Sequence, residues 1–186
     1  MLLNVQSGFA LKTPLVCRLK NLTEIELMNT NLLLDRSFKI VSGGQTGADR
    51  AALDWAIANQ VPHGGWCPKG RKAEDGAIAE HYNLSETPSS QYWERTQWNV
   101  RDSDGTAVFS ISEVIVAGTL LTVESAKKYH KPYVHICKKL THINIVGQLQ
   151  FFLLKFGIVN LNVAGTRASE EPEVYQFVQE ILNLCL

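Results

Sequence analysis

The chain lacks any excess of charge: 18 basic side chains balance 18 acidic ones, for a formal net charge of zero. With no prevailing field to attract nucleic acid or an anionic membrane surface, any charged partner must be held by local groups, and a small molecule is expected. Paired cysteines are missing too. Cys17, Cys67, Cys137 and Cys185 lie far apart with no Cys-x-x-Cys spacing, which argues against a zinc ribbon or redox motif and fits reduced thiols in a cytoplasmic protein. His63 and Cys67 have no third or fourth neighbouring ligand, so no metal site is expected. No apolar run reaches the ~20 residues that span a bilayer, because Lys155 and Asn160 interrupt the stretch from Phe151 to Val163. A secretory signal is not expected either, since no basic patch precedes the first leucines and Lys12 breaks their run.

What is present suffices for one core: 186 residues, 45% of them apolar. Residues 1–37 show neither helical nor strand periodicity and read as an N-terminal extension. They form either a dispensable tail, with Met28 as a later start, or an edge strand or docking helix. Residues 38–186 read as a single ligand-binding domain. Phe38 to Val41 is a strand, Ala48 to Asn59 a helix with Ala52, Leu53, Trp55, Ala56 and Ile57 on its apolar face, and Val61 to Trp66 a second short strand. Gln91 to Asp102 has helical spacing and Thr106 to Ile111 that of a strand; Ala117 to Tyr129 follows as a helix whose inner side is Leu120, Val123 and Ala126. Tyr133 to Ile136 is a strand, Leu149 to Phe156 a helix stopped by Gly157, and Ile158 to Val163 a buried strand. Ser169 is expected to cap the last helix, with Glu170, Glu171 and Pro172 in its first turn. Alternation of this kind predicts an α/β Rossmann-like three-layer sandwich with a mainly parallel sheet.

Ligands in such sheets bind beyond the carboxyl ends of the strands. The segment Ser42-Gly-Gly-Gln-Thr-Gly47 follows the first strand, and Gly43, Gly44 and Gly47 bare backbone amides that an anion can approach, with Gln45 and Thr46 adding hydrogen bonds. A side chain at Gly44 is expected to block the ligand while leaving the fold intact. Asp49, in the helix's first turn, either stabilises the macrodipole or accepts hydrogen bonds from the ligand. The loop is neither Gly-x-Gly-x-x-Gly nor a P-loop, which disfavours dinucleotide oxidoreductase and ATPase chemistry. Arg95, Asn99 and Asp102 share one helix face, as a polar surface or as a wall of the site. Gly118 and Thr119 open another helix and suit a second anion cradle, while Gly165 and Arg167 follow the last strand, where a guanidinium can clamp a phosphate or simply face solvent.

The segments 42–50, 65–76 (Gly-Trp-Cys-Pro-Lys-Gly-Arg-Lys-Ala-Glu-Asp-Gly), 99–106 (Asn-Val-Arg-Asp-Ser-Asp-Gly-Thr) and 162–165 (Asn-Val-Ala-Gly) together resemble the family named putative molybdenum carrier. The resemblance runs from about Phe38 to the end. It implies a Rossmann-like fold akin to lysine-decarboxylase-like proteins and molybdenum cofactor carriers, a homo-oligomer, and binding of a phosphorylated ligand, either molybdenum cofactor as cargo or a nucleotide-derived molecule. By motif, Gly43, Gly44, Thr46, Gly47, Gly118, Thr119 and Gly165 carry over as site residues. The related phosphoribohydrolases have Gly-Gly-x-Gly-Thr-x-x-Glu, and here Thr122 stands in place of that glutamate; Ala117 stands where the resembled family usually has glycine. A threonine cannot act as the carboxylate acid or base, and Glu124 projects about 200° round the helix. A binding or carrier protein therefore ranks first, a nucleotide- or ribosyl-processing hydrolase second, and a structural interaction module third. Asp49, Asp75 and Asp102 are the carboxylates left for catalysis under the second reading.

Overall fold

The computed structural model describes residues 38–114, 117–140 and 144–186, so the expectations for residues 1–37 lie outside the described residues. Five parallel strands form the central sheet in the order β2-β1-β9-β7-β8: β1 Lys39–Val41, β2 His63–Gly64, β7 Gly105–Ser110, β8 Tyr133–Cys137 and β9 Asn160–Gly165. The helices are α1 Ala48–Ala58, α2 Tyr92–Arg101, α3 Ala117–Lys128, α4 Ile145–Phe156 and α5 Val174–Cys185. Direction of travel across the sheet decides which face each helix covers, because parallel crossovers are right-handed. The moves β1 to β2 and β8 to β9 go one way and carry α1 and α4, which share a core with α5. The moves β2 to β7 and β7 to β8 go the other way and carry α2 and α3, which pack on each other. The result is the three-layer α/β sandwich, Rossmann-like in arrangement.

Strand period does the sorting. Ala107, Phe109, Leu161 and Val163 enter the α1, α4 and α5 core, and their neighbours Val108, Asn162 and Ala164 point to the other face. On that face the Asn162 amide donates to the Thr106 hydroxyl at 3.1 Å, so the polar pair is satisfied. Gly157, with φ 59, closes α4, while Asn144 starts it earlier than periodicity indicates by accepting the Gly147 N–H at 3.0 Å.

Two local expectations fail. Leu120 is 44% exposed rather than inward, leaving Val123 and Ala126 as the buried positions of α3. The last helix begins at Val174, not at a Ser169 cap. Its intended first turn is diverted because Glu171 accepts N–H groups from Ile111 (2.6 Å) and Ser112 (2.8 Å) and the Thr166 hydroxyl (2.8 Å), which joins the loops after β7 and β9. Against the cost of burial, those bonds hold the Glu171 carboxyl below its ordinary range.

Between β2 and α2 lies a small lobe of short pairs: β3 Trp66–Cys67 with β6 Ser85–Glu86, and the hairpin β4 Lys72–Ala73 with β5 Gly76–Ala77. The expected strand from Val61 to Trp66 is thus split in two at Gly65. Leu53 of α1 joins Cys67, Ala73, Ile78 and Tyr82 in the lobe's core, which sets the hairpin beside the glycine loop.

Candidate functional site

The loops after β1 and β7 leave for opposite faces of the sheet, with β9 between them, so their divergence opens a crevice at a topological switch point. A cleft that opens to solvent lies there. Gln45 and Asp49 form one side, Arg95 and Thr96 of α2 another, Gly118, Thr119 and Thr122 of α3 a third, and Ala164, Gly165 and Arg167 the floor and far edge.

Each polar wall is held by a nameable contact. Ser42 anchors the glycine loop to β9 by donating to the Val163 carbonyl at 2.8 Å. Gln45 Oε1 accepts N–H groups from Thr46 (3.0 Å) and Glu74 (2.9 Å), which leaves one orientation for the amide and turns Nε2 away from both. Asp49 is 3% exposed, and its Oδ2 lies 2.8 Å from Arg95 Nη1. Burial pushes the Asp49 carboxyl above its ordinary value, and the Arg95 guanidinium opposes that shift. Arg95 crosses where Gly43 has no side chain: a Cβ there would lie 1.9 Å from Nη1.

Three buried polar atoms among the described residues have no partner, and all belong to this cleft: Gln45 Nε2, Arg95 Nε and Thr119 Oγ1. Two are N–H donors and the third is a hydroxyl, so the empty space asks for an acceptor-rich group. Arg167 closes the rim, its guanidinium carbon 5.3 Å from the centre of the Tyr92 ring.

Not every residue singled out from sequence meets the others here. Asn99 is buried 33 positions from Trp66 in sequence, and its side chain accepts the Trp66 N–H (2.7 Å) and donates to the Trp66 carbonyl (2.9 Å), so it fastens β3 to α2. Asp102 follows the end of α2 in an exposed position, bonded to the Trp66 indole at 2.8 Å and to Arg101. Asp75 pairs with Arg50 at 3.1 Å outside the cleft.

Gly44 and Gly47 both have positive φ, 73° and 76°. The expectation that Gly44 could take a side chain without harm to the fold is corrected by its surroundings. A Cβ there would meet Leu84 Cδ1 at 2.7 Å and Ile78 Cδ1 at 3.0 Å, pointing into the lobe instead of the cleft. Sequence reasoning missed Tyr92, Thr96, Leu121 and Glu170, which line the cleft, and Glu74, which reaches the loop from the hairpin. Thr96 lies one helical turn after Tyr92 on the same face of α2; nothing local marks Glu74.

A parallel α/β sandwich with its polar loops gathered over the switch point defines the class as a Rossmann-like domain. Residues 40–186 match the model of the circularly permutated YpsA SLOG family (cpYpsA), and the chain belongs to that family. It is also similar to a protein from Syntrophus aciditrophicus SB whose crystal structure is described as that of a putative molybdenum carrier protein. The two are 46% identical over 80% of this chain and 94% of that one, with a TM-score of 0.76. Among curated proteins none matches.

Proposed function

We propose that the protein binds and carries a phosphate-bearing small molecule, with an anionic group seated in the cleft between Gln45, Arg95 and Thr119. The observation that carries this reading is that the three residues with a buried, unpartnered side-chain polar atom all line one cleft. Leaving a buried donor unpaired costs about 1 to 3 kcal/mol, and a ligand oxygen would relieve each of the three. The first turn of α3 at Gly118 and Thr119 adds positive dipole potential on the same side. Arg95 supplies charge, and Asp49 holds its guanidinium in place.

Description of the Syntrophus relative as a molybdenum carrier favours molybdenum cofactor as the cargo, with a nucleotide-derived phosphate ester as the other candidate. Thr122, buried in the cleft wall where the phosphoribohydrolase pattern has glutamate, favours retention of the ligand over turnover. Native mass spectrometry of the purified protein tests the reading. A retained phosphate-bearing species, lost in Arg95→Met, is expected; a species retained equally by that variant would remove the cleft from the account.

A further inference from the structure

The turn of the β4–β5 hairpin bears two carboxylates, and both brace the glycine loop, Asp75 through Arg50 and Glu74 directly. Asp75 meets Arg50 Nη1 at 3.1 Å, and Arg50 also donates to the Gly44 carbonyl through Nε at 3.2 Å and Nη2 at 3.1 Å. Glu74 goes to the other side of the loop. Its carboxylate accepts the Thr46 hydroxyl, the Ser169 hydroxyl at 2.6 Å and the Ser169 N–H at 3.3 Å. Burial opposes ionisation most strongly of any single contribution, yet the Ser169 and Thr46 donors together, with the nearby Arg167 charge, hold the Glu74 carboxyl below its ordinary range. Two hydroxyls, a backbone N–H and a guanidinium around one anion are the donors that hold phosphate oxygens.

We propose that this turn is a displaceable strap: Glu74 occupies a second anion position beside the cleft, and a ligand with two adjacent anionic groups, as in a diphosphate, seats its second group there by displacing the Glu74 carboxylate. The inference rests on the reading of the cleft given above. Glu74 is exposed, so its carboxylate can leave by side-chain rotation while Ala73 and Ile78 keep the hairpin packed in the lobe's core. The two anion positions adjoin through shared residues. Arg167 lines the cleft and faces Glu74; Gln45 holds the Glu74 N–H on Oε1 while its buried Nε2 has no partner. One amide therefore touches strap and cleft together.

Calorimetric titration of the full chain with inorganic phosphate and with pyrophosphate tests this. Removing a unit charge about 4 Å from an incoming anion in water is worth about fivefold in affinity. Glu74→Gln is therefore expected to bind pyrophosphate about fivefold more tightly than the wild type, while phosphate, which occupies only the cleft, changes less than about twofold. Adding Ser169→Ala to Glu74→Gln is expected to cancel the gain. Equal gains for both probes, no gain, or a gain that survives Ser169→Ala would overturn the strap. Thr119→Val separates this from the cleft reading: it weakens both probes if the cleft holds the first anion. Phosphate affinity unchanged in Thr119→Val would sink the cleft reading and the strap with it, whereas phosphate weakened by Thr119→Val with no pyrophosphate-specific gain in Glu74→Gln would sink the strap alone. Failure of the wild type and Glu74→Gln to bind either probe overturns both.

Discussion

Arg71 and Arg95 are both half-buried arginines, yet they use their donors in opposite ways. Arg71 spends its guanidinium on four carbonyls of the lobe: Ile78 at 2.8 Å, Ala79 at 2.8 Å, Tyr82 at 2.9 Å and Leu84 at 3.2 Å. Arg95 gives one bond to Asp49 and keeps a buried Nε without a partner. Saturation of donors marks Arg71 as a residue of the fold, and the unspent donor marks Arg95 as a residue of the site. The same contrast separates Asn99, whose amide is used on both sides by the Trp66 backbone, from Gln45, whose amide is used on one side only.

That contrast can be broken by substitution. The largest effect is expected for Arg71→Met, which strands several carbonyls and should cost about 4 kcal/mol in urea unfolding while the folded fraction binds phosphate normally. Gly44→Val comes next, at about 2 to 3 kcal/mol, because a β-branched residue is forced to a φ of 73° and its Cβ strikes Leu84 and Ile78. Thermal melts read this directly, and a fully stable Gly44→Val protein would contradict the placement of the loop. Arg95→Met is expected to weaken phosphate binding about 10- to 100-fold, the range of one charge-assisted hydrogen bond.

Arg95→Met also carries a pH signature. Burial raises the folded-state pKa of Asp49 above its unfolded value, so the folded chain retains a proton that the unfolded chain gives up. The stability linked to that proton is present below the unfolded pKa and is lost as pH rises through the folded one. Without Arg95 the upward shift grows, so the melting temperature of the variant should climb as pH falls from neutrality, more steeply than that of the wild type. Parallel slopes would show that the ion pair does not neutralise Asp49.

Much of the frame was legible in the sequence because it is written in local period. Strands β7 and β9, helix α1 and the Gly157 stop all follow from residues within a few positions of each other. Of the expected ligand contacts, Gln45, Asp49, Arg95, Gly118, Thr119, Thr122, Gly165 and Arg167 meet in one cleft, since they lie on strand-end loops or in the first two turns of helices that gather at the switch point. What was illegible depends on long-range partners. Helical spacing put Asn99 and Asp102 on the face of Arg95, but Trp66, far off in sequence, claims both. Glu171 reads as a helix-start residue until the amides of Ile111 and Ser112 appear beside it. Glu74 lies in an exposed turn with no periodic signal, and only folding of the lobe brings it to Thr46.

Thr119 offers the most direct test of the central claim, because the residue is 2% exposed, its hydroxyl is unpartnered, and it lies in the first turn of α3. Valine has nearly the same shape and leaves no polar atom to satisfy. If the hydroxyl is held in reserve for a ligand, Thr119→Val should be more stable than the wild type without ligand, by about 1 kcal/mol, and should bind inorganic phosphate about fivefold more weakly. The two quantities are measured together, by thermal unfolding and by calorimetric titration of the same preparations. A variant that melts lower than the wild type and binds phosphate with unchanged affinity would contradict the account.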